Sequence, residues 1–176
     1  MRKRPRISIE KHVEKDEFSQ NCASHNAKFV YKYKDFEIEI WIDKHYQDRV
    51  DYGDDIGKRH GIDENIVIKL IVESFKYIFH FYSRHRTINF INFFEKGKVT
   101  DYRIVLKKYI DEQPLNVAIE IHFLDYSKYE VTIKTAMVID DFRLSDGQYS
   151  ISVTNDKVLL NRFVNKEIYR IDQINI

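Results

Sequence analysis

From Phe36 to Ile42 hydrophobic and polar side chains alternate: Phe36, Ile38, Ile40 and Ile42 fall on one side, Glu37, Glu39 and Trp41 on the other. A period of two marks a half-buried strand, so the isoleucine side is expected to face a core. An earlier alternation sets Phe29, Tyr31 and Tyr33 against Val30, Lys32 and Lys34, which predicts a first strand, with Asp35 in a tight turn between the two. The period then changes. Val67, Leu70, Ile71, Phe75, Ile78 and Phe79 recur at helical spacing. Asp63 suits an N-cap and Glu64 suits a first helical turn, so a helix is expected over 63–81. A short polar helix is expected just before it, over 44–51. The connection Tyr52-Gly53-Asp54-Asp55-Ile56-Gly57 has turn chemistry.

Three further strands are predicted over 101–110, 115–124 and 129–139. In the middle one Val117, Ile119, Ile121 and Phe123 share a face, opposite Ala118, Glu120 and His122. Tyr126-Ser127-Lys128 predicts a hairpin, and Ser145-Asp146-Gly147 a turn before a short strand over 148–153. Two readings stay open for 155–176. Phe163, Val164, Glu167, Ile168 and Ile171 suit a helix, whereas 167–174 can also be written as a strand. Runs of strands around one helical block predict an α+β domain: a mainly antiparallel sheet with two consecutive helices packed on one face. Ile38, Ile40, Ile42, Leu70, Ile71, Ile119 and Ile121 should form one core. Residues 1–176 read as a single domain. Within it, 1–27 form a polar N-terminal extension with a short helix around 9–18, and 155–176 form a C-terminal extension.

Composition agrees with a folded domain: 43% hydrophobic and 32% charged residues exclude a disordered chain. The 12 Tyr and 12 Phe, with abundant Ile and Val, favour sheet. A net charge of +1 gives no global basic signature. Basic residues do cluster locally, at Arg2-Lys3-Arg4 with Arg6, at Lys28, Lys32 and Lys34, at Arg84 and Arg86, and at Lys107-Lys108. Such clusters either form a phosphate-binding face or lie in solvent as ordinary surface. The single cysteine, Cys22, excludes an intrachain disulfide and fits a reducing compartment. With no secretory pattern at the N-terminus and no stretch near the roughly 20 apolar residues of a membrane span, a cytoplasmic protein is expected. Cys22, His25 and His12 do not make a coherent four-ligand zinc pattern, so no metal or other cofactor is expected.

Candidate chemistry concentrates at His45 and Arg49. One helical turn apart, they would project together. An imidazole that moves a proton beside a guanidinium that holds a phosphate is a nuclease half-site; the same pair also fits an ordinary charged helix surface. A second candidate is the aromatic and basic run Tyr82, Arg84, His85, Arg86, Phe90, Phe93 and Phe94. Aromatic residues interleaved with arginines can stack bases and hold phosphates. Here the three phenylalanines are expected in the core, with the arginines as a rim.

His45-x-x-Asp48-Arg49, the Arg59-His60-Gly61-Ile62 step and Ile62-Asp63-Glu64-x-x-Val67-x-x-Leu70 together resemble the RegB-type phage endoribonucleases, members of the RelE-like group of small ribonuclease toxins. Ala136-Met137-Val138-Ile139 followed by Arg143-Leu144 extends the resemblance, which covers about half the chain. It implies a RelE/RegB-like fold and metal-independent RNA cleavage. In that chemistry a 2′-hydroxyl attacks its neighbouring phosphate and leaves a 2′,3′-cyclic phosphate. His45 matches the first family histidine and Arg49 the nearby arginine. Two departures stand out. A longer connection after Arg49 lets Arg59 and His60 compete for the second basic position. The family's second histidine falls on Val72, which cannot transfer a proton. His60, His80, His85 and His122 are the candidates to replace it, and His122 is attractive because it faces away from the apolar set. The expected catalytic residues are therefore His45, Arg49, His60 and His122, with Arg59, Arg84, His85 and Arg86 contacting RNA. The expected partner is mRNA or structured RNA. The alternative is a non-catalytic module that binds RNA or a host protein, as an inhibitor, immunity or anti-defence factor.

Overall fold

The computed structural model describes residues 18–33, 36–52, 62–94, 96–97 and 101–176. Among the described residues, eight strands and two helices follow in the order β1 (Ala27–Tyr33), β2 (Ile38–Asp43), α1 (Lys44–Tyr52), α2 (Glu64–Arg84), β3 (Arg103–Ile110), β4 (Gln113–Asp125), β5 (Lys128–Val138), β6 (Tyr149–Val153), β7 (Lys157–Val164) and β8 (Glu167–Asn175). The strands make one sheet in the order β1-β2-β5-β4-β3-β6-β7-β8. Neighbours are antiparallel except β2–β5 and β3–β6, which run parallel. The α+β architecture with a mostly antiparallel sheet is as expected.

Tight turns explain the antiparallel runs. Asp111 and Glu112 between β3 and β4, and Asn165 and Lys166 between β7 and β8, all have positive φ. Paired left-handed residues twist a two-residue turn in the same sense as its strands. The helical block instead carries the chain from β2, past β5 and β4, to β3.

The core lies between the helices and one sheet face. Ile38, Ile40 and Ile42 of β2, Ile119 and Ile121 of β4, and Val131 and Ile133 of β5 join Val67, Leu70, Ile71, Phe75, Ile78 and Phe81 of α2 in one buried cluster. The expected isoleucine and leucine set is thus contiguous. Asp63 caps α2 by accepting a hydrogen bond from the Asn65 N–H at 2.8 Å. Phe79 stacks on Phe36 at 5.1 Å and meets Tyr129 edge-on at 4.9 Å, fastening α2 over β5.

Two expectations are corrected. The second helix runs to Arg84, beyond residue 81. Phe90 is in the core, but Phe93 is 40% exposed and Phe94 96% exposed. Backbone bonds of Asn92 with Ile121 and Phe123 fix the segment at the end of β4, so Phe93 leans on Phe123 and Phe94 faces water. Of the two readings open for 155–176, the strand holds: β7 and β8 form a hairpin, because Val158 and Leu160, two apart, reach the core. Residues 18–26, within the expected N-terminal extension, pack on the sheet. Ser19 bridges Ala27, and the Asn21 amide donates to Thr132 Oγ1 at 2.6 Å, so the segment lies along β5. The helix expected around 9–18 lies outside the described residues except for Phe18, which is not helical. No helix among the described residues is long and apolar enough to cross a membrane.

Candidate functional site

Asp43 ends β2 and accepts a hydrogen bond from the His45 N–H at 2.9 Å, which satisfies a free amide at the start of α1. The carboxylate is almost fully buried and is held by Lys134 Nζ at 2.7 Å. Burial alone would raise its pKa, but Lys134 and the His45 amide outweigh that and hold Asp43 below its ordinary value. Tyr46 is buried and pins α1 to the core. His45 and Arg49, one turn apart, are both exposed. The structure therefore sets this pair on an anchored helix and opens it to solvent.

The other expected residues lie elsewhere. Arg59 and His60 fall outside the described residues. His85 follows α2 and its Nε2 lies 2.7 Å from Asp172 Oδ2 of β8, while Arg84 Nε lies 3.3 Å from the same oxygen. Asp172, although partly desolvated, is held below its ordinary pKa chiefly by His85. These two side chains tie the end of α2 to the last strand. Arg86 is exposed in the turn that follows, and His80 is exposed on α2.

His122 lies on the sheet face opposite the apolar set, as its alternation implies. It sits directly across from Glu130, and Glu120 across from Thr132. His122 Nε2 is 3.3 Å from Asp101 Oδ2, and Arg103 Nε is 2.6 Å from Glu120 Oε1. Asn92 sets this geometry. Its buried amide donates to the Tyr102 and Ile121 carbonyls and accepts from the Tyr102 N–H at 2.7 Å, so Asp101 and Arg103 are held beside β4. Cys22 covers Glu130, donating its backbone N–H to Oε1 at 2.7 Å. Burial raises the Glu130 pKa despite Cys22 and His122, which act in the other direction. Desolvation, then the Glu130 charge, push the Cys22 thiol up to about 11, so it is no ready nucleophile.

His45 and His122 are anchored at different points of β5. The cap of α1 is held at Lys134 and His122 at Glu130. Those anchor points are four residues apart on β5, roughly 13 Å at about 3.3 Å per residue. Sequence reasoning placed Glu120 on the face of His122 but missed Asp101, Arg103 and Glu130 as its neighbours. Spacing two apart on one strand hinted at Glu120, but the register that brings Glu130 and Asp101 in is not a local signal. No protein-family model matches the chain, and neither does any curated protein or solved structure.

Proposed function

We propose that the chain is a RegB-type, metal-independent endoribonuclease on a RelE-like scaffold, cleaving mRNA or structured RNA in the cytoplasm. The exposed His45–Arg49 pair on α1 carries this reading. The guanidinium holds the scissile phosphate and steadies the charge that builds on it. The imidazole moves a proton to or from the 2′-oxygen or the leaving 5′-oxygen. Capping by Asp43 and burial of Tyr46 fix the helix that presents both.

A second reading, RNA or protein binding without cleavage, is favoured by one observation: Val72 stands where the resembled family has its second histidine. Product analysis separates the two. Purified protein incubated with RNA in EDTA should leave 2′,3′-cyclic phosphate and 5′-hydroxyl ends. His45→Ala should slow cleavage by about 10²- to 10⁴-fold with the fold intact. Arg49→Ala should weaken both RNA binding and turnover. Intact RNA, or a His45→Ala variant as fast as wild type, leaves the binding module as the function.

A further inference from the structure

We infer that Asp101, Glu120 and His122 form a binding site for a first-row divalent cation of the zinc class, separate from the α1 pair and independent of the ribonuclease reading. One donor atom from each of the three residues lies within 4.8 Å of the others. Ligands at about 2.0–2.2 Å from a tetrahedral ion stand roughly 3.4 Å apart, so closing the site takes a shift of about 1 Å. Asp101 can supply that movement, because its side chain is 36% exposed. The other two are set in the sheet, with Glu120 3% and His122 8% exposed.

His122 supplies a second and independent observation. It is nine-tenths buried and turned toward Asp101, and its Nδ1 has no hydrogen-bond partner among the described residues. Buried polar atoms are nearly always paired, and here Nε2 has Asp101 Oδ2 at 3.3 Å while Nδ1 is the ring nitrogen left open to an ion. Asp101, Glu120 and Glu130 stand around the ring, and Arg103 Nε meets Glu120 at 2.6 Å. One imidazole nitrogen with two carboxylate oxygens selects zinc or a neighbouring transition ion over magnesium, which keeps an octahedral shell of oxygens and water. Arg103 is half exposed and competes for Glu120, so it opposes the ion without belonging to the site.

The test is titration calorimetry of EDTA-treated, dialysed full-length protein with zinc chloride, repeated with cobalt chloride to read visible absorption. Wild type should take up one equivalent. His122→Ala and Asp101→Asn should each weaken binding by more than about 100-fold, beyond the 10- to 100-fold that outer-shell changes bring. Arg103→Ala should tighten it. Asp101 lies at the surface, so Asp101→Asn tests the site even where His122→Ala disturbs the fold. Absence of a saturable event in wild type overturns the inference, and so does undiminished binding in Asp101→Asn. Neither outcome touches the ribonuclease reading, which is judged by RNA ends formed in EDTA.

Discussion

Asp43 does two things with one carboxylate: it caps α1 and accepts the Lys134 ammonium ion. Lys134 also donates to the Ala23 carbonyl at 3.3 Å, so one lysine joins β5, α1 and the segment lying along the sheet. Removing it leaves a buried charge unpaired, and Lys134→Ala should cost about 3–5 kcal/mol in denaturant unfolding. The pH dependence follows from the sign of each shift. Asp43 has a folded pKa below its ordinary 3.8, so its contribution is complete above that value and is lost as pH falls through the lower, folded one. Glu130 is the reverse. Its folded pKa lies above 4.5, so the protein loses stability as pH rises from 4.5 through the raised value. Glu130→Gln should flatten that second limb of a melting-temperature profile, and Asp43→Asn the acid limb. A profile unchanged by either substitution would show that these carboxyls are not perturbed.

At the scale of elements, α2 shows what local pattern can disclose. Its cap, its buried stripe and its acidic first turn were all readable, since each depends on residues within a few positions of one another. Leu70 is 2% exposed, and Leu70→Ala should lower stability by about 2–5 kcal/mol, measured by chemical denaturation. The exposed His45–Arg49 pair was legible for the same reason. The polar cluster was not. His122 could be assigned a face by alternation, but its neighbours come from the β4–β5 register and from Asn92, a loop residue whose type says nothing of its role. The aromatic run misled in part, because Phe90, Phe93 and Phe94 look alike in sequence. Only the anchoring of Asn92 decides which of them turns inward. The last two strands were ambiguous because their apolar residues satisfy both periods, and burial of Val158 and Leu160 settles the matter.

For the whole molecule, the parallel joint between β2 and β5 has a kinetic consequence. The antiparallel pairs close through short turns, whereas the joint brings together residues such as Asp43 and Lys134, 91 residues apart. Loop-closure entropy must be met before such a contact gives anything back. The β4–β5 hairpin and α2 should therefore organise the transition state, with the β1–β2 hairpin docking after the barrier. Truncating Ile40→Val on β2 should then speed unfolding and leave the folding rate nearly unchanged. Ile119→Val on β4 should slow folding. Stopped-flow chevrons of the two variants read this directly, and a slowed folding limb for Ile40→Val would place docking of β2 before the barrier instead. If docking does come last, a chain emerging from the ribosome carries one edge of its isoleucine-rich strand unpaired until the fifth strand has been synthesised. That interval is when this protein is most exposed to aggregation.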